Sequence, residues 1–226
     1  MAMDSQKPLH HPETTGQAFE LDRYLSARST AWKTLDKIHK IIEQNYQQLS
    51  EEEISILIKE EFGPKTKFWH PHKVRFEENT QCSFKEKSRP GLKLKAKSLY
   101  FIDIGPIIDF HEADVGDTYQ VGNPDFENPA KTIFRQLEQY WLDEGLTGEE
   151  LYKKAELMAL DFGLELNEKM AGHRLGDFPH ALFHRGGLNE FEKSPKEMLW
   201  VLEIHLVDKK NQRGYFFEDI LGAPKI

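Results

Sequence analysis

The sequence predicts a mixed α+β domain in which two helix pairs each lead into antiparallel strands. Three observations carry this. Helical periodicity and β-prone stretches alternate in blocks: two amphipathic helices, then strands, then two more helices and two more strands. Each block of strands holds an acidic residue inside an otherwise apolar run. In each block that acid has an acidic partner at an odd separation, which in an antiparallel hairpin puts both on one face. The repeated order helix–helix–strands points to two related halves.

The first block opens with residues 22–48, where Leu25, Trp32, Leu35, Ile38 and Ile42 recur at helical steps. Ser50-Glu-Glu-Glu53 is a capping box, Ile54, Leu57, Ile58 and Phe62 form the apolar face behind it, and Gly63-Pro64 ends the helix. Residues 68–76 have β character around Trp69-His-Pro-His72, and Pro71 marks an edge or irregular strand. On a strand His70 and His72 would share a face. Residues 81–91 are a polar, basic loop, and the first hairpin follows at residues 99–121.

The second block opens at Asn128-Pro129, with proline at the first helical position and Ile133, Leu137, Tyr140 and Trp141 on one face. Gly145 ends this helix. Thr147-Gly-Glu-Glu150 is a second capping box, followed by Leu151, Ala155, Met158 and Phe162. Residues 164–195 show little periodicity and many Gly, His and Phe, as in a long functional loop. Residues 198–207 and 215–221 read as a closing hairpin around a polar turn.

Composition narrows the function. A chain of 226 residues with 38% hydrophobic content suits one domain with a sizeable core. The net charge, 30 − 38 = −8, argues against a broad nucleic-acid-binding surface. Cys82 is the only cysteine, so no internal disulfide forms, and its solitary thiol fits a cytoplasmic protein. Residues 1–20 are polar, rich in His and Pro, and lack the apolar centre of a signal peptide. They read as a flexible arm, with His10-His11 as an exposed pair, leaving 21–226 as the single domain. No run approaches the roughly 18 apolar residues of a membrane helix, so no membrane partner is expected.

The chemistry sits in the hairpins. Asp103 lies within the apolar run 99–104, and Asp114 precedes the β formers 115–121; their separation is 114 − 103 = 11. A hairpin centred on Ile108-Asp109 makes them direct partners, with Cβ atoms roughly 5 Å apart. Glu203 lies in Met198-Leu-Trp-Val-Leu-Glu-Ile-His-Leu206 and Glu218 in Tyr215-Phe-Phe-Glu-Asp-Ile-Leu221, separated by 218 − 203 = 15. A hairpin centred on Lys210-Asn211 pairs them too. An unpaired buried charge is too costly to persist, and carboxylates facing each other repel, so a divalent cation is the natural neutraliser. Between the hairpins lies Gly172-His-Arg-Leu-Gly-Asp-Phe-Pro-His180, with two histidines seven apart. Asp109, Glu112 and Asp117 read as turn and outer-face acids, and His205 alternates with Glu203.

Together these residues resemble the pita-bread metallopeptidase family, which includes methionine aminopeptidase, aminopeptidase P, prolidase and creatinase. The likeness runs from about residue 26 to residue 221. The family pattern is Asp, eleven residues to Asp, a Gly-His-x-x-Gly histidine, then two Glu near the C-terminus, here Asp103, Asp114, His173, Glu203 and Glu218. The resemblance implies a curved antiparallel sheet of two pseudo-symmetric halves with helices packed outside. It implies a metal-dependent aminopeptidase that removes the N-terminal residue of a peptide substrate through a hydroxide bridging two divalent ions. Asp114 and Glu218 would bridge the ions, Asp103 would chelate one, and His173 and Glu203 would complete the other shell. Such an oxygen-rich set suits manganese, iron, cobalt or zinc. Glu203 would also shuttle the proton to the leaving amine, and His180 matches the family's second histidine, which stabilises the developing oxyanion. A further family histidine precedes the first Asp strand: His70 or His72, with His70 favoured.

The sequence also departs from the family. The additional N-terminal domain of prolidase, creatinase and aminopeptidase P is expected to be absent, as in methionine aminopeptidase, yet Asp103-Ile-Gly-Pro106 looks like the proline-directed branch. Phe216 stands two before the last Glu, where that branch has Arg and methionine aminopeptidases have Gln. Ala181 and Ile204 replace an acid and a Pro or Asp. Creatinase, the metal-free relative, lacks this ligand set. These departures sustain an alternative, a non-catalytic pita-bread scaffold acting as a binding protein, and the chain is expected as a monomer or homodimer.

Overall fold

The computed structural model describes residues 11–225. Helices α1 (Leu21–Asn45) and α2 (Glu51–Phe62) lead into β1 (Lys67–Phe68), β2 (Lys73–Phe76), β3 (Leu99–Ile104), β4 (Pro106–Ile108), β5 (His111–Glu112) and β6 (Val115–Gln120). Helices α3 (Pro129–Glu144) and α4 (Gly148–Asp161) follow, then β7 (Glu165–Leu166), β8 (Val201–Asp208) and β9 (Arg213–Ile220). The main sheet is antiparallel in the order β2-β3-β6-β9-β8-β7, and β1-β4-β5 form a smaller sheet beside it. The two hairpins β3/β6 and β8/β9 meet where Gly116 faces Glu218 and Asp117 faces Phe217. This is the pita-bread architecture that the sequence implies.

Local chemistry sets the elements. Ser50 and Glu53 close one capping box, Thr147 and Glu150 the other, and Asn128 caps α3 ahead of Pro129. Tyr140 is 38% exposed and Phe162 46%, so both stand outside the core faces assigned to them; Tyr140 instead carries the Lys154 ammonium 3.5 Å above its ring. The stretch 68–76 is broken at Pro71, so His70 and His72 lie in an irregular link before β2 rather than on one strand.

One face of the sheet makes the core. Ile102 and Ile104 of β3, Leu202, Ile204 and Leu206 of β8, and Phe217 of β9 pack with Leu35 and Ile38 of α1 and Ile133 and Leu137 of α3. Strand alternation sends Asp103, Glu203 and Glu218 to the opposite face. The helix-facing side has charges of its own. Asp219 receives Arg28 Nε and Nη2, each at 2.6 Å, and Trp32 Nε1 at 3.2 Å. Asp117 receives Lys131 Nζ at 2.6 Å and Asn128 Nδ2 at 2.8 Å. Each acid on this face therefore has a protein cation.

The second hairpin has the expected register, Glu203 directly opposite Glu218. The first does not. Asp103 faces Gly116, and the pairing runs through Ile107–Glu112 and Ile108–His111, so the turn is Asp109-Phe110. Both turn residues have positive φ, 48° and 64°, as the mirror-image two-residue turn requires. The hairpin is thus centred one residue later than Ile108-Asp109, and Asp103 and Asp114 share a face as diagonal neighbours rather than direct partners. Residues 12–20 are not loose: Arg174 Nε and Nη2 bind the carbonyls of Pro12 and Thr14, Trp200 Nε1 binds Glu13 Oε1 at 3.0 Å, and Glu20 N donates to His111 Nε2 at 2.8 Å. His10 falls outside the described residues. Among the described residues no helix is long and apolar enough to cross a membrane.

Replacing Asp219 by Ala should cost about 3–5 kcal/mol, because it strands the buried Arg28 guanidinium. Urea denaturation measures this; a loss below 1 kcal/mol would show that the pair carries little of the fold's stability.

Candidate metal centre

Six side chains from six segments converge on the face away from the helices. Asp103 comes from β3, Asp114 from the step between β5 and β6, Glu203 from β8 and Glu218 from β9. His173 is fixed by a bridge pairing it with Gly187, and His70 precedes β2. Two close approaches let them meet. A Cβ on Gly105 would lie 2.3 Å from the His70 ring, and a Cβ on Gly172 would lie 2.0 Å from the Val201 carbonyl. Tyr152 ties the histidine loop to β8, its hydroxyl accepting from Gly172 N at 2.5 Å and donating to the Glu203 carbonyl at 2.8 Å.

The resulting geometry is tight. His70 Nε2 lies 3.3 Å from Asp103 Oδ1 and 3.2 Å from Asp114 Oδ1, and His173 Nε2 lies 2.9 Å from Asp114 Oδ2. The ligand atoms of His70, Asp103 and Asp114 lie within 4.8 Å of one another, as do those of Asp114, His173 and Glu218. Glu203 lies outside both groups but opposite Glu218, on the wall of the same cavity. That cavity, of about 670 Å³, is also lined by Trp69, Phe84 and Met170, with Lys85 and Lys169 beside them.

The electrostatics of the four acids follow from burial and crowding. Asp103, Asp114, Glu203 and Glu218 are 4%, 1%, 8% and 3% exposed. Burial, reinforced by Asp114, Asp103 and Glu203, pushes the Glu218 carboxyl well above the usual range. Burial also raises Glu203 to about 8, His173 partly opposing and the two aspartates adding to it. Asp103 rises to about 6 by burial against the pull of His70. Asp114 goes the other way, to about 2, because its bonds to His173 and His70 outweigh burial. Burial opposes charge on His70, yet Asp103 and Asp114 lift it to about 9. No Lys or Arg forms an ion pair with any of these four acids among the described residues, and Asp103 Oδ1 and Glu218 Oε1 are buried without a hydrogen bond. Orphaned oxygens amid crowded like charges fit a bound divalent cation. Asp103, Asp114, His173, Glu203 and Glu218 would hold it, with His70 in reach.

The remaining histidines separate by environment. His72 turns away, edge-on to the Phe68 ring at 4.2 Å, so His70 is the histidine at the site. His205 binds the Thr80 carbonyl at 2.7 Å and packs between Phe101 and Phe216. His180 stacks on Trp69 at 3.9 Å and meets His173 edge-on at 5.1 Å. Its Nδ1 lies 3.0 Å from Glu112 Oε2. Glu112 and Asp117 are therefore not outer-face acids: both are buried. For Glu112 the signal was its two-residue spacing from Asp114, which puts two strand residues on one face.

Comparison with known proteins shows the family and the fold. The model of metallopeptidase family M24 matches residues 26–222, and the chain belongs to that family. Its structure is similar to the prolidase from Pyrococcus horikoshii OT3, with a TM-score of 0.68 and 18% identity over 89% of this chain and 58% of that one. It is similar to the X-Pro aminopeptidase from Thermotoga maritima MSB8, with a TM-score of 0.69 and 16% identity over 92% of this chain and 63% of that one. The prolidase from Pyrococcus furiosus gives a TM-score of 0.67 and 16% identity over 93% and 66%. At such identities the likeness shows the fold, and this chain spans about three fifths of the length of those proteins. A search of curated proteins gives no match.

Adding a divalent ion at 100 times its dissociation constant should raise stability by about 2.7 kcal/mol. Titration calorimetry and thermal melts with manganese, cobalt, iron or zinc check this. Asp114→Asn or Glu218→Gln should remove most of the gain; binding unchanged in both variants would place the ion elsewhere.

Proposed function

We propose that the chain is a metal-dependent aminopeptidase that releases the N-terminal residue of a peptide. The observation that carries this is the set of four buried carboxylates converging in a cavity of about 670 Å³ with no Lys or Arg ion pair among the described residues. Family membership supports a peptidase hydrolase. Two divalent ions are proposed, which Asp103, Asp114, His173, Glu203 and Glu218 would hold. When bound, such ions supply Lewis-acid polarisation of the scissile carbonyl and lower the pKa of an attacking water.

The chain's own groups do the rest. Glu203, on the cavity wall opposite Glu218, can take a proton from the attacking water and return it to the leaving amine. His180, stacked on Trp69 and edge-on to His173 at 5.1 Å, would stabilise the developing oxyanion. His70 keeps Asp103 and Asp114 oriented from 3.3 and 3.2 Å. Trp69, Phe84 and Met170 form an apolar wall suited to an apolar first side chain. The substrate is therefore a peptide with a free amino terminus, and the lone Cys82 fits a cytoplasmic setting.

A binding scaffold remains the second reading, and Phe216 favours it. This residue is fully buried against Phe101, with ring centroids 4.9 Å apart, where peptidase relatives present a polar side chain beside the last glutamate.

A peptide with an apolar first residue should lose that residue in the presence of metal, while its N-acetylated twin should stay intact. Cleavage of the acetylated peptide at an internal bond would sink the aminopeptidase reading. Exclusive cleavage before a second-position proline would sink the apolar preference. No turnover of any peptide by metal-loaded protein would favour the scaffold. His180→Ala should keep its metal and lose about 10²–10³ in kcat; loss of metal instead would make His180 a ligand.

A further inference from the structure

Glu112 is a buried carboxylate that the metal centre does not use. It is 1% exposed, and one of its oxygens, Oε1, has no hydrogen-bond partner. Its other oxygen lies 3.0 Å from His180 Nδ1. Its backbone is pinned as well: Glu112 N donates to the Gly176 carbonyl at 2.8 Å, and His111 bridges to Asp177. The segment carrying Glu112 is thereby stitched to the loop carrying His173 and His180. Trp69 closes the arrangement from the side, its Nε1 donating to the Ala113 carbonyl at 3.1 Å while its ring stacks on His180 with only 14° between planes.

An imidazole on a loop has two freedoms that catalysis cannot tolerate: rotation about its side-chain bonds and exchange of its N–H between two nitrogens. The Trp69 face restricts tilt but not a spin of the ring in its own plane. A carboxylate at Nδ1 removes that freedom and fixes the proton on Nδ1. Nε2 is then the nitrogen turned to a reactant. The cost is a buried acid, which the fold would not carry for stability alone, since a buried pair rarely outdoes an apolar replacement.

We propose that Glu112 is a positioning residue, whose carboxylate accepts the Nδ1 proton of His180 and so holds the Nε2 edge of that ring toward the substrate. The proposal rests on the aminopeptidase reading for its consequence in turnover, but its structural half stands alone. It extends the site by a residue outside the metal-ligand set, reached through the stacked Trp69–His180 pair.

The test uses the zinc-loaded protein, with nitrogen-15 NMR of the histidine rings alongside peptide kinetics. In the wild type, His180 should show a hydrogen-bonded Nδ1 proton far downfield. Glu112→Ala should lose that signal and lower kcat about 10–100-fold, the scale of a small misplacement of a catalytic group, with KM changed less than threefold and zinc binding intact. Glu112→Gln keeps an acceptor oxygen and nearly the same volume, so it should recover part of the signal and of kcat; it also serves if the alanine variant does not fold. A variant that keeps the His180 Nδ1 proton and wild-type kcat overturns the proposal. A wild type inactive on every peptide would instead overturn the aminopeptidase reading, and the NMR signal would still decide whether Glu112 holds His180.

Discussion

The structure turns on repulsion among carboxylates that the sheet forces together. The helix-facing side shows how this fold treats a buried acid when it intends nothing further. Asp219 is gripped by Arg28 and Asp117 by Lys131, each at 2.6 Å. On the cavity side, Asp103, Asp114, Glu203 and Glu218 are as deeply buried, yet among the described residues only His70 and His173 come within ion-pair distance of them. Two imidazoles cannot neutralise four carboxylates. Burial, with mutual repulsion added, pushes Glu218, Glu203 and Asp103 upward, so that left alone they tend to hold protons, while Asp114, touched by both histidines, is not pushed up. A divalent cation would resolve the conflict that the backbone imposes.

That conflict is created by register. The second hairpin puts Glu203 directly across from Glu218, and the β6–β9 seam brings Glu218 against Gly116, the cross-strand partner of Asp103. The three acids are thus neighbours through backbone pairing alone. Asp114 joins from outside the main ladder, at the step where the chain passes from the small sheet to the large one. A one-residue slip in either hairpin would turn its acids to the helix side and dismantle the site.

Much of this was legible in the sequence, and the reasons are physical. Acids inside apolar runs stand out because burial makes them costly, so Asp103, Glu203 and Glu218 announced themselves. Parity survived an error of register: Asp103 and Asp114 share a face whether the turn is Ile108-Asp109 or Asp109-Phe110, because the two alternatives differ by two positions in pairing. What the sequence did not show was the identity of the turn, since neither Asp109 nor Phe110 is a glycine or asparagine that advertises positive φ. It also hid Glu112, whose neighbours are polar enough to look like a turn. The docking of residues 12–20 was illegible too, because it depends on Arg174 and Trp200, far away in the chain.

The surroundings of the acids complete the argument. Next to them the cavity-side sheet is apolar: Phe101 and Phe216 lie together at 4.9 Å, Met170 packs with them, and Phe84 rests against that group. Even His205 is kept neutral, pushed down to about 4 by burial. Such a floor lowers the local dielectric, which strengthens every charge–charge term above it. The repulsion among the carboxylates grows, and so does their attraction for a cation. Phe216, fully buried against Phe101, offers the last glutamate no polar neighbour, so the charge on Glu218 would depend on a bound ion.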